Sequence, residues 1–248
     1  MSPSHPRPVA LITGAGRRVG AVIARTLHGA GYDLALHYRH SADAAQSLAD
    51  ELEQQRADST ILVHAELAEL DALPGLVGSV LARFGRLDAL VNNASAFYPT
   101  PIGSATPAQW NELFASNAQA PFFLAQAATP ALRQAGGAIV NLVDIYAERP
   151  LANHPIYCMA KAALLAMTRA LALDLGPQVR VNAVAPGAVM WPSEGKAYDD
   201  KQAMLERTPL KRAGTPEDVA SAVLWLLRDA PFVTGQVIRI DGGRTLSV

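Results

Sequence analysis

Residues 9–20 read Val9-Ala10-Leu11-Ile12-Thr13-Gly14-Ala15-Gly16-Arg17-Arg18-Val19-Gly20, a β-rich apolar run that ends in a glycine-punctuated turn. The run Val9–Thr13 reads as a strand, and the residues from Arg18 to Gly29 read as the helix that follows it. Glycines at 14, 16 and 20 let the backbone turn tightly and bring N–H groups toward an anion at the helix N-terminus. Taken alone, the spacing is not the common G-x-G-x-x-G, and it equally fits a plain glycine-containing strand–helix turn.

Moving outward, the same alternation recurs. Short apolar runs lie at Asp33–Tyr38, Thr60–His64, Ala89–Asn92, Ala138–Val143, Val179–Ala185 and Gln236–Ile240, with helix-length segments between them. Seven such strands joined by helices imply right-handed crossovers and a parallel sheet. Several runs are continuously apolar, as expected when helices cover both faces. The expected fold is α/β, a Rossmann-type doubly wound parallel sheet in one domain over 1–248. Ligands in such sheets bind beyond the carboxyl ends of the strands, which directs attention to the loops after them.

Composition narrows the function. Half of the 248 residues are hydrophobic and the net charge is −1, which excludes a disordered chain and argues against a nucleic-acid binder. The one cysteine, Cys158, cannot form an internal disulfide, and a reducing compartment is expected. Met1–Pro8 carries three prolines and no apolar run, and the charge-free stretch Leu113–Leu132 holds polar residues and two prolines. Neither reads as an export or membrane signal, so the protein is expected to be cytoplasmic.

Two loops point to chemistry. After the second strand the chain reads His37-Tyr38-Arg39-His40-Ser41, with no acid before Asp43. An acid there would suit a ribose 2′-hydroxyl; Arg39 with Arg17 and Ser41 suits a 2′-phosphate, hence NADP(H), the alternative being a solvated basic loop. Farther on, Tyr157 and Lys161 stand four apart on a helical pattern, so they share a face one turn apart. A nearby ammonium stabilises a phenolate, which makes Tyr157 a candidate general acid. Asp144 lies 13 residues before it at a strand end. Cys158 reads as inert packing and His154 as a loop residue. None of the histidines has metal-ligand spacing. Thr215, Pro216 and Asp218 read as a helix start.

With the Thr13–Gly20 loop, Asn92-Asn93-Ala94, Asn117, Tyr157 with Lys161, Pro186-Gly187 and Thr234-Gly235, the chain resembles the short-chain dehydrogenase/reductases over essentially its whole length. Within them it is most similar to the pteridine reductases. Arg18 stands where most members have glycine, His37-Tyr38 begins the cofactor loop, Ser95–Pro101 follows the asparagine pair, and Asp144 replaces the usual serine.

The resemblance implies NADPH as cofactor and a homotetramer, with the Tyr157–Leu175 helix and Leu246–Val248 as interface elements. It implies that Tyr157 donates a proton, Lys161 lowers its pKa and holds the nicotinamide ribose, Asn117 supports a relay, and Asp144 takes part in substrate binding and proton delivery. Arg18, Ser95, Phe97, Asp144, Tyr157 and Trp191 are the expected substrate contacts, Phe97 stacking on the pterin. Cofactor contacts are expected at Gly14, Gly16, Arg17, Arg18, Val19, Gly20, His37, Tyr38, Arg39, His40, Ser41, Glu66, Leu67, Asn93, Ala94, Ser95, Tyr157, Lys161, Pro186, Gly187 and Val189. The chain departs from the family pattern in the order Arg39-His40-Ser41, in Glu66 where an aspartate often meets the adenine, and after Gly187.

Asp144 separates the possible reactions. An ionised carboxylate cannot donate a hydrogen bond to a ketone oxygen. Two like charges about 4 Å apart also repel by about 4 kcal/mol at an effective dielectric of about 20, roughly a thousandfold in rate. A pterin C=N bond needs a proton on nitrogen, which an aspartate can help to deliver. The expected activity is reduction of dihydropterin or dihydrofolate, and of oxidised pterins. The alternatives are a carbonyl reductase acting on a 3-oxoacyl thioester, sugar or steroid, and a non-catalytic NADPH-binding regulator. Residues 188–210 are the expected substrate loop, in which Trp191 serves equally as a lid or a subunit contact.

Overall fold

A computed structural model describes residues 7–189 and 201–247, with the side chain of Lys201 outside that description. Trp191 and the middle of the expected substrate loop lie outside the described residues.

The sheet has seven strands: β1 Val9–Ile12, β2 Asp33–Tyr38, β3 Thr60–His64, β4 Ala89–Asn92, β5 Ala138–Leu142, β6 Arg180–Pro186 and β7 Val237–Ile240. All neighbours pair in parallel in the order β3-β2-β1-β4-β5-β6-β7. Strand ends fall within a residue of the sequence reading. Thr13, for instance, follows β1 because its hydroxyl accepts from the backbone N–H groups of Asn93 and Ala94, at 2.9 and 3.0 Å.

The period of two along β1 sorts the core. Ala10 and Ile12 face one layer, with Ile23 and Leu27 of α1 (Arg18–Gly29) and Val219 and Val223 of α8 (Pro216–Leu224). Val9 and Leu11 face the other, with Val77 and Val80 of α3 (Leu73–Phe84) and Leu124 and Ala128 of α5 (Ala120–Ala135). Both faces of the central strands are therefore buried, which is why β1 reads as an unbroken apolar run and the polar residues of β4 and β5 are confined to Asn92 and Asn141. The remaining helices are α2 Ala42–Gln55, α4 Pro107–Phe114, α6 Pro155–Leu175 and α7 Lys201–Arg207.

The order reverses between β1 and β4, because the chain leaves the β3 edge and returns on the far side of β1. That switch point opens the crevice in which an open α/β sheet holds its ligand.

Three elements shape the site from below. Asn92 donates to Asn141 at 2.8 Å, and Asn141 donates to Thr168 at 2.9 Å, a buried polar bridge across β4, β5 and α6. A wide π turn, Ala115–Gln119, separates α4 from α5 and splits the charge-free stretch 113–132. Among the described residues, the helix that is long and apolar enough to cross a membrane is instead α6, half buried in the fold. The expected start of α8 is present: Thr215 accepts from Asp218 N–H at 3.3 Å, and Asp218 accepts from Thr215 N–H at 2.8 Å.

Candidate active site

A cavity of about 460 Å³ opens at the switch point. It is lined by the loops after β1, β2, β3 and β4, and fifteen of the twenty-one expected cofactor contacts are on its wall: Gly14, Arg17 to Gly20, His37 to Ser41, Glu66, Leu67 and Asn93 to Ser95. His37 stitches these loops together. Its Nδ1 accepts from Gly14 N–H and its Nε2 donates to the Ala65 carbonyl, both at 3.1 Å, which fixes a neutral tautomer. Burial lowers its pKa and keeps it so.

The glycines serve this packing. Gly14 has φ +64°, and Asn93 Nδ2 donates to its carbonyl and to that of Thr13. A Cβ at Gly20 would lie 2.2 Å from Gly14 O, and one at Gly16 would lie 2.8 Å from Ser41 Oγ. Gly16 is thus a packing position and is not on the cavity wall, unlike the cofactor contact expected of it. The residues fit a dinucleotide: N–H groups at the start of α1 for a pyrophosphate, and Arg17, Arg18 and Arg39 around it.

The candidate catalytic group sits at the end of β5 and the start of α6. Asp144 caps the short turn Ile145–Ala147, its Oδ1 accepting from Tyr146 N–H at 2.9 Å. That leaves Oδ2 for Tyr157, whose hydroxyl donates to it at 2.7 Å. One turn on, the fully buried Lys161 donates to the Leu142 carbonyl at 2.8 Å, its Nζ 5.9 Å from the Tyr157 ring centre. Burial pushes the Lys161 ammonium down to about 8, against the opposing pull of Asp144. Burial raises the Asp144 carboxyl above the ordinary carboxylate range, outweighing the hydrogen bonds from Tyr146 and Tyr157 and the charges of Lys161 and Arg244. Asn117 is buried in the π turn; its side chain accepts from Ser95 Oγ at 2.6 Å and donates to the carbonyls of Ala96 and Leu113 at 2.9 Å.

Phe97 meets Tyr157 edge-on, with centroids 4.7 Å apart. One of its faces is already covered by the His154 ring, stacked at 4.8 Å and 10°. His154, read from sequence as a loop residue, is one: it sits just before the first residue of α6, and there its ring backs Phe97. Ser116 was missed. It lines the nucleotide cavity and accepts from Ala96 N–H at 3.3 Å. Pro186, Gly187 and Val189 do not line that cavity. Gly187 N–H bonds Ile240 O, and a Cβ there would lie 2.9 Å from Asp241, so this turn packs against the end of β7.

The family model described as enoyl-(acyl carrier protein) reductase matches residues 14–245. The chain belongs to the short-chain dehydrogenase/reductase family. As a member it is an oxidoreductase that uses a nicotinamide dinucleotide. The short-chain reductase is 36% identical to pteridine reductase 1 of Leishmania tarentolae, over 100% of this chain and 99% of that one. It is 34% identical to the 3-oxoacyl-acyl-carrier-protein reductase FabG of Staphylococcus epidermidis, over 94% and 97% of the two chains, and equally so to that of Staphylococcus aureus strain Mu50, over 94% and 96%. Similarity alone does not choose between pterin and oxoacyl substrates for this reductase.

Proposed function

We propose that the protein is an NADPH-dependent pteridine reductase that takes dihydropterins, dihydrofolate and oxidised pterins to their reduced forms. The observation that carries this reading is the 2.7 Å hydrogen bond from the Tyr157 hydroxyl to Asp144 Oδ2. When bound, the dinucleotide supplies the hydride. Arg39, His40 and Ser41 would hold its 2′-phosphate, the start of α1 its pyrophosphate, and Tyr157 and Lys161 its nicotinamide ribose.

The chain's own residues move the proton. With Asp144 ionised, Tyr157 donates to it. With Asp144 protonated, the bond reverses, and the tyrosine proton is free for a ring nitrogen of the substrate. The raised Asp144 favours that protonated form. Lys161 holds the phenolic oxygen ready to lose its proton. Phe97, backed by His154, offers a flat apolar face to a heteroaromatic ring. Trp191 and the loop 188–210 are assigned to the substrate, in a single-domain chain assembled as a cytoplasmic homotetramer.

A second reading has one observation in its favour. A protonated Asp144 can donate a hydrogen bond as a serine does, which suits the carbonyl of a 3-oxoacyl thioester. Rates of NADPH oxidation with dihydrobiopterin, dihydromonapterin, dihydrofolate and a 3-oxoacyl thioester decide between the two. We expect turnover of a pterin, and in Asp144→Ser a loss of pterin activity of about 100-fold or more with a gain on the ketone. Brisk ketone turnover with none on any pterin would establish the second reading instead.

A further inference from the structure

β2 and β3 pair with Tyr38 opposite His64, so the residues just past their ends, Arg39 and Glu66, meet across neighbouring strands. They form an ion pair between Arg39 Nε and a Glu66 carboxylate oxygen, and both side chains line the nucleotide cavity. The pair is held from both sides. The other Glu66 oxygen accepts from Ala68 N–H at 3.2 Å, and His64 Nε2 bonds the Arg39 carbonyl at 3.1 Å.

We infer that Glu66 is a cofactor-selectivity residue that works against the 2′-phosphate, leaving the protein able to bind the phosphorylated and unphosphorylated dinucleotides with similar affinity. This rests on the proposed function's placing of the adenosine ribose beside Arg39 and widens its cofactor reading, NADPH being one of two dinucleotides the site accepts. An unopposed arginine favours a phosphate dianion strongly, through charge and through its fork of N–H donors. Here one of those donors is already given to a carboxylate. A dianion that reaches Arg39 comes within a side chain's length of a second negative charge, which weakens its binding. A free ribose 2′-hydroxyl meets the opposite situation. The Arg39–Glu66 pair is neutral, and its carboxylate is the acceptor that a 2′-hydroxyl needs. Arg17 and Arg18, on the same cavity wall, keep the site positive enough for the pyrophosphate in either case.

Calorimetric binding of 2′,5′-ADP and 5′-ADP at fixed salt tests this without turnover. The wild-type protein is expected to bind the two within about tenfold of each other. Glu66→Gln keeps an acceptor for Ala68 but removes the charge; it is expected to tighten 2′,5′-ADP about tenfold and leave 5′-ADP unchanged or slightly weaker, with Glu66→Ala as the second variant. If Arg39→Ala weakens 2′,5′-ADP while Glu66→Gln weakens it or leaves it unchanged, Glu66 only orients the arginine and the inference is overturned. If Arg39→Ala leaves 2′,5′-ADP binding unchanged, the placing of the 2′-phosphate itself is wrong.

Discussion

Arg18 shows how a single residue couples the fold to the site. It opens α1 with φ 52°, in the left-handed region that glycine enters freely and a residue with a Cβ does not. Holding an L-residue there costs about 1–2 kcal/mol, and strain of this kind concentrates at functional sites. The neighbouring loop over-determines the conformation through His37, Asn93 and the tight Gly14–Gly20 contact. Replacing Arg18 with glycine removes the strain but gives the unfolded chain about 0.5–1 kcal/mol more entropy to lose. Arg18→Gly is therefore expected to stabilise the protein by about 0.5–1 kcal/mol in urea denaturation. It is also expected to weaken 2′,5′-ADP binding by removing a cation from the cavity wall. A loss of stability would show that the arginine side chain contributes more to the fold than its backbone strain removes.

Helix α6 carries the corresponding conflict at the level of an element. Its buried face is a nearly continuous apolar stripe, Ile156, Ala160, Leu164 and Leu165, interrupted by the fully buried Lys161. The lowered pKa, about 8 against a usual 10.5, means that the folded state disfavours the ammonium. By linkage, the contribution of this group to stability is complete above about pH 10.5 and is lost as pH falls through about 8. At pH 7 the charged lysine therefore costs about 3 kcal/mol at 1.36 kcal/mol per unit, offset by about 1–2 kcal/mol from its bond to the Leu142 carbonyl. Lys161→Met is expected to raise stability by about 1–2 kcal/mol at pH 7, to lose that advantage toward pH 10, and to abolish turnover. In the wild type, kcat should fall above about pH 8 as the ammonium deprotonates. Thermal melts across pH, with the rate profile, check each part. A destabilised Lys161→Met at pH 7 would show that the ammonium is better solvated by its carbonyl partner than its burial implies.

For the molecule as a whole, what the sequence disclosed follows the range of the interactions. Strand alternation, the helix over Arg18–Gly29 and the Tyr157–Lys161 turn depend on residues a few positions apart, so their periodicity shows them. The Phe97–His154 stack, the Arg39–Glu66 pair and the polar bridge depend on which strands become neighbours, and no local pattern carries that information. The bridge is the sharpest case. Asn92, Asn141 and Thr168 are buried polar residues in apolar elements, and they make sense only because β4, β5 and α6 meet. Thr168 lies two turns beyond Lys161 on the same helix, and Asn141 lies three residues before Asp144 on β5, so the bridge sets the register of both catalytic elements. Asn141→Leu would leave the Asn92 amide without its acceptor and Thr168 without its donor, at about 1–3 kcal/mol for each buried group left unsatisfied. An overall loss of about 2–4 kcal/mol is expected. Replacing Asn92 and Asn141 together with leucine should return part of it, because the stranded amide is then gone. Turnover should fall in both variants while dinucleotide binding, which depends on the β1–β4 loops, is retained. Unchanged kcat in a folded Asn141→Leu protein would mean that α6 takes its register from the apolar stripe alone.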